Sequence, residues 1–153
     1  TLHRQSNVDN KNNFKLILDA LEKFGEKFVW PIHPRSLKRL EEFKLDVPKN
    51  IELIQPIGHK KMIHLMAFAK QIVTDSGGMQ VEAYFLRRPC ITIRKETEWT
   101  ETVREKWNVV TGISEFYILK ALNEHFPLPS QHNLSSYGLG DTNKKILEIL
   151  AEL

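Results

Sequence analysis

Short apolar runs rich in β-branched and aromatic residues alternate along this chain with segments whose apolar residues recur at helical spacing. The β-like runs are Lys27–His33 (KFVWPIH), Ile51–Ile54, Gln71–Thr74, Cys90–Ile93 and Asn108–Thr111. Between them the pattern predicts helices near Asn13–Phe24, Ser36–Phe43, Lys60–Ala69, Gly78–Leu86 and Glu101–Lys106, with two more near Ser114–His125 and Asn143–Glu152. In the first of these, Phe14, Ile17, Leu18, Leu21 and Phe24 follow i, i+3, i+4, i+7 spacing, which buries one face. Met62, Ile63, Leu65, Met66 and Phe68 form a broader apolar set, so that helix is expected to be more deeply buried. The Pro-, Ser-, Asn- and Gly-rich stretch Pro127–Gly140 reads as a loop. Strands separated by helices imply right-handed βαβ units. The expectation is a single α/β domain, a Rossmann-like parallel sheet flanked by helices, without internal repeats.

Composition adds bounds. A chain of 153 residues suits one domain with a substantial core. The 22 basic and 19 acidic residues leave a net charge of +3, too small and dispersed to favour a nucleic-acid partner. A single cysteine, Cys90, excludes an internal disulfide and a Cys-based zinc site, and fits a reducing compartment. No apolar run approaches the roughly 20 residues that span a bilayer. The expectation is a cytoplasmic protein without a membrane partner. The opening Thr-Leu-His-Arg has neither an initiator Met nor a signal peptide and reads like the middle of a longer protein.

Ligands of such folds sit beyond the carboxyl ends of the strands. Four polar stretches fall there: Thr1–Asn7 (TLHRQSN), His33–Arg35, Asp75–Gly78 and Arg94–Trp99. Ser76, Gly77 and Gly78 stand where a strand turns into a helix. Free N–H groups and the helix dipole suit phosphate oxygens there, and the glycines let the backbone approach a ligand. Glu82, one turn further on, is placed to accept hydrogen bonds from a ribose diol. The same residues also read as a plain strand–turn–helix corner with Ser76 as N-cap. His3, Arg4, His33 and Arg35 each read equally as ordinary surface polar residues, and Glu96, Glu98 and Glu101 around Trp99 as a charged helix start.

Taken in order, TLHRQSN (Thr1–Asn7), Pro31–His33, TDSGGMQVEA (Thr74–Ala83) and Glu96–Trp99 resemble the C-terminal half of the non-hydrolysing UDP-N-acetylglucosamine 2-epimerases. The HPR and PCITIRKETEW segments look closest to the subgroup acting on UDP-2,3-diacetamido-uronic acids. The resemblance implies the second domain of a two-domain glycosyltransferase-B-like fold, residues 1–153, with the N-terminal domain absent from this chain. It implies inversion of a sugar C2 by elimination and re-addition of UDP, with no cofactor or metal and with a homodimer in the full-length protein. By the same resemblance Ser76, Gly77 and Gly78 contact the diphosphate, Glu82 the ribose, and His3 is the active-site histidine. Arg4, His33, Met62 and Trp99 are implied as substrate or activator contacts, and the acid and base carboxylates belong mainly to the other domain. Ser6 stands where the family pattern has glutamate, and Ile57, Met62, Val81, Trp99 and Leu139 also depart from common choices. A hydrolysing epimerase, a glycosyltransferase of the same fold and a non-catalytic UDP-sugar-binding module remain alternatives.

Overall fold

The computed structural model describes residues 1–124, 126, 134–138 and 140–151. The chain begins with a short extended stretch that leads into α1 (Gln5–Val8) and α2 (Lys11–Phe24). Then β1 (Phe28–Pro31), α3 (Pro34–Phe43), β2 (Ile51–Ile54), α4 (His59–Phe68), β3 (Ile72–Thr74), α5 (Gly77–Phe85) and β4 (Cys90–Thr92) alternate. They are followed by α6 (Thr100–Arg104), β5 (Asn108–Val110), α7 (Glu115–Leu122) and α8 (Thr142–Ala151). A 3-10 turn, Leu134–Tyr137, falls inside the stretch expected to be loop, while residues 127–133 and 139 of that stretch lie outside the described residues. Residues 125 and 152, the expected ends of the last two helices, also lie outside them.

Local chemistry fixes the helix ends. Asn10 caps α2, its side chain accepting from the Asn12 and Asn13 amides at 3.0 and 3.1 Å, and Gly25 ends it at φ 78°. α3 starts earlier than its periodicity suggests, because Pro34 fits the first helical position and His33 caps it through the Arg35 amide. The predicted apolar stripe of α2 is buried: Phe14, Ile17, Leu18 and Leu21 join Trp30, Ile32, Ile91, Ile93 and Ile118 in the main core. α2 also packs against α7.

Among the described residues all strand pairs are parallel, as expected, but they form two sheets, β1-β2 and β3-β4-β5. β1 and β3 do not pair. Between them lies a cavity of about 340 Å³ lined by both strands, by Leu21 and Phe24 of α2 and by Met62, Leu65 and Met66 of α4. The cavity also corrects the expectation for α4. Met66 alone of that helix is buried and Phe68 is 78% exposed, because the apolar side of α4 faces this cavity rather than a filled sheet.

Candidate functional site

Asp75, directly after β3, organises the polar edge. It is fully buried, and its carboxylate accepts the His3 amide at 3.1 and 3.0 Å, the Arg4 amide at 2.9 Å and the Asn7 side-chain amide at 3.1 Å. The His3 Nδ1 sits 3.2 Å from the same carboxylate. Asn7 also donates to the Ile93 carbonyl at 2.8 Å and Arg4 Nε to the Asp75 carbonyl at 3.1 Å. The Thr1–Asn7 stretch is thereby pinned across the carboxyl ends of β3 and β4. Burial is the main force holding the His3 pKa below its usual value. The Asp75 charge opposes that shift, whereas His33, the Thr1 amine and Arg4 reinforce it. At neutral pH the imidazole is uncharged and points its Nδ1 proton at Asp75, which leaves Nε2 for other chemistry. Ser6 takes no part in holding His3, since its hydroxyl donates to the Asn7 side-chain oxygen at 3.2 Å.

The rings of His3 and His33 lie 5.3 Å apart, so the first and second predicted stretches do meet. Arg35 does not join them. It forms an ion pair with Asp9 at 2.5 Å, and Arg39 binds the same carboxylate at 2.9 Å, which together hold that carboxyl well below the usual range.

The start of α5 is uncapped. Ser76 occupies the N-cap position, yet no side chain accepts from the first-turn amides, and the Ser76 amide itself donates to Thr74 Oγ1 at 3.0 Å. An added Cβ at Gly78 would meet open space, whereas one at Gly77 would collide with the Glu98 carboxylate and lie 3.5 Å from Trp99 Nε1. Trp99 Nε1 is buried without a hydrogen-bond partner. Arg94 bonds Glu98 at 2.8 Å. The Glu98 pKa is lowered, first by a backbone hydrogen bond and then by Arg94 and Arg4. A carboxylate thus rests against the helix start, with an orphaned indole N–H and two guanidinium groups around it. Anionic oxygens suit such surroundings.

Glu82 pairs with His59 Nε2 at 2.8 Å, a partner that the sequence alone did not single out. Gln80 faces inward. Its carbonyl oxygen accepts from Thr97 at 2.5 Å and from Asn108 at 3.0 Å, and its amide donates to the Ser76 carbonyl at 3.2 Å. Met62 is not among these polar groups. It packs against the Met66, Ile72, Ala83 and Cys90 cluster and lines the cavity between β1 and β3. Burial pushes the Cys90 thiol up to about 12, which removes it as a nucleophile. Among the described residues no group of three or more His, Cys, Asp or Glu is placed to hold a metal, and no helix is long and apolar enough to cross a membrane.

Parallel strands that deliver their polar ends to an uncapped, glycine-rich helix start define a Rossmann-like α/β domain with its ligand edge at the strand carboxyl ends. Residues 1–151 match the family model described as UDP-N-acetylglucosamine 2-epimerase, and the chain belongs to that family. A UDP-N-acetylglucosamine 2-epimerase homolog of Methanococcus maripaludis is 41% identical over 100% of this chain and 44% of its own length. The UDP-2,3-diacetamido-2,3-dideoxy-D-glucuronate 2-epimerase of Pseudomonas aeruginosa is 34% identical, again over 100% of this chain and 44% of its own. The crystal structure of Methanocaldococcus jannaschii UDP-GlcNAc 2-epimerase in complex with UDP-GlcNAc and UDP is similar at TM-score 0.81 and 36% identity, covering 99% of this chain and 44% of that one. The chain therefore spans less than half the length of these relatives.

Proposed function

We propose that this chain supplies the UDP-binding side of a UDP-N-acetylamino-sugar 2-epimerase. The observation that carries this reading is Asp75, which ties the His3–Arg4 segment to the start of α5 and so brings an oriented neutral imidazole to an uncapped helix terminus. In this assignment the first-turn amides of α5 at Gly77 and Gly78, with Trp99 Nε1, receive diphosphate oxygens. In this reading the Glu98 carboxylate occupies the position of one of those oxygens and moves aside when the diphosphate binds, keeping its bond to Arg94. Glu82 and His59 face the ribose diol. His3 lies toward the sugar side of the diphosphate; with its Nδ1–H held on Asp75 its Nε2 takes up a proton, and the resulting imidazolium donates from Nε2 to the oxygen that departs as the C1–O bond breaks.

The reaction removes the C2 proton and expels UDP with the C1–O bonding pair, then returns UDP to the same face of C1 and a proton to the opposite face of C2, so that only C2 is inverted. In this reading the proton-transferring carboxylates lie outside this chain. Support comes from the family match and from a relative solved with UDP-GlcNAc and UDP. The experiment is deuterium incorporation at C2 of a UDP-N-acetylamino sugar by the complete protein, with wild-type His3 and with His3→Asn. Incorporation should fall by at least about a hundredfold in the variant, the range for loss of one positioned electrostatic or acid–base group. Free sugar and UDP as the products of the wild type would assign the hydrolysing reaction instead.

A further inference from the structure

The backbone and the ring of Trp99 are held by different parts of the chain. Its amide donates to Thr97 Oγ1 at 3.1 Å, Thr97 donates in turn to Gln80 at 2.5 Å, and the Trp99 carbonyl accepts from Thr102 Oγ1 at 2.6 Å. These bonds fix the backbone and leave the side-chain torsions open. The direction of the indole is set by what packs on it, and Tyr137 packs there. The two ring centroids lie 6.0 Å apart at an interplanar angle of 64°, an edge-to-face contact. The same tyrosine ring meets Tyr84 at 5.2 Å and Phe85 at 5.9 Å. Tyr84 and Phe85 stand in the last turn of α5, about 10 Å along the axis from Gly77. Tyr137 is thus a brace between the far end of that helix and the indole at its start.

The 3-10 turn that carries Tyr137 is itself tied down. Tyr137 Oη donates to Glu101 at 3.2 Å, and Ser136 Oγ donates to Glu105, whose other oxygen accepts from Tyr84 at 2.5 Å. Glu101 lies in the first turn of α6 and Glu105 at its end, and α6 begins directly after Trp99. Burial, and then the Glu101 charge, push the Tyr137 hydroxyl up to about 12, so at neutral pH it keeps the proton it donates. The indole held in this way carries its Nε1 3.5 Å from where a Cβ on Gly77 would stand, buried and without a hydrogen-bond partner. A buried N–H without an acceptor is costly, and beside the uncapped amides of α5 it is satisfied when an acceptor arrives.

We propose that Tyr137 is a positioning residue for anion recognition: through Trp99 it aims the indole N–H at the oxygens received by the start of α5. Tyr137 itself touches no ligand atom in this arrangement. The inference rests on the proposed placement of the UDP diphosphate.

The test follows the Trp99 indole N–H signal in proton–nitrogen NMR and the UDP affinity of the 153-residue chain by titration. Trp99→Phe assigns the signal and should weaken UDP about tenfold, the effect of one lost hydrogen bond to a charged oxygen. Tyr137→Ala should shift the signal in the unliganded chain and weaken UDP by a similar factor. Tyr137→Phe keeps the ring, so the signal should stay in place and the affinity should stay within about threefold. Tyr137→Leu fills the turn but is too short to reach the indole, and it should match the alanine variant even where alanine prevents folding. Adding Tyr137→Leu to Trp99→Phe should cost little more than Trp99→Phe alone, because both act on one bond. An unmoved signal or wild-type affinity in Tyr137→Leu, beside a weakened Trp99→Phe, would overturn the proposal and leave the UDP site standing. Equal losses with and without Trp99 would also overturn it, by making the effect a general loosening of the turn. Wild-type affinity in Trp99→Phe would remove the indole from the diphosphate site, and the positioning role with it.

Discussion

A buried carboxylate whose lone pairs all face donors is hard to replace, and Asp75 is in that position. In Asp75→Asn one oxygen becomes an amide pointing at the His3 and Arg4 N–H groups, and the charge that strengthens the remaining bonds is lost. Charge-assisted hydrogen bonds of this kind are worth about 1.5–3 kcal/mol each. Urea unfolding should therefore show a loss of about 3 kcal/mol, and a loss under about 1 kcal/mol would mean the segment is held by other contacts. The Thr1 amine gives a second expectation. Its folded pKa of about 6 lies below the ordinary 8.0, so between those values the unfolded chain binds more protons than the folded one. The burial penalty is complete below pH 6 and gone above pH 8.0. Stability should rise across that window by about 2–3 kcal/mol in a chain that starts at a free Thr1 amine. An N-acetylated chain should lack this rise, which separates it from the His3 titration in the same range. In the sequence, Asp75 could be seen only as one letter of a strand–turn–helix corner. Its partners His3, Arg4 and Asn7 are far away along the chain, and nothing local signals that its side chain turns inward.

At the scale of elements, periodicity told most about α2 and least about α4. The stripe of Phe14, Ile17, Leu18 and Leu21 predicts its own burial because each position faces a filled core. The wider apolar set of α4 predicted burial too, but what an apolar face meets depends on its neighbour, and the neighbour here is the cavity beside β3. The helix start at Gly77 was legible from its glycines, whereas the approach of Glu98 and Trp99 was not, since it depends on how the loop after β4 folds back. That loop makes two variants informative. Gly77→Val would drive its branched side chain into Glu98 and against Trp99, so UDP titration by calorimetry should show no binding while circular dichroism stays native. Glu98→Gln should act in the opposite direction. The side chain is half-exposed and screened, so removing its charge from a site that receives phosphate should tighten UDP by only about 1 kcal/mol. Weaker binding in Glu98→Gln would place the diphosphate elsewhere.

At the scale of the whole molecule, the proposed function separates binding from chemistry. Its polar edge holds an uncapped helix start, a carboxylate-held histidine and a His59–Glu82 pair, and in the proposed reaction the proton-transferring carboxylates belong to another domain. Calorimetry should therefore detect weak UDP binding by this chain alone, in a site not closed over by a second wall. NMR should detect no deuterium at C2 of the bound sugar, and incorporation by the isolated chain would mean that its own residues supply the base. The α/β alternation and the parallel pairing were legible in the sequence. The division into two sheets was not, because it reflects what lies between β1 and β3 and not the preferences of either strand. Gln80 has a consequence for motion. Its side chain links the Ser76 carbonyl at the helix start, Asn108 on β5 and Thr97 in the loop that carries Trp99. Helix start and loop are thus clamped as one rigid body, and a ligand arriving there has little disorder to freeze beyond its own and that of Glu98.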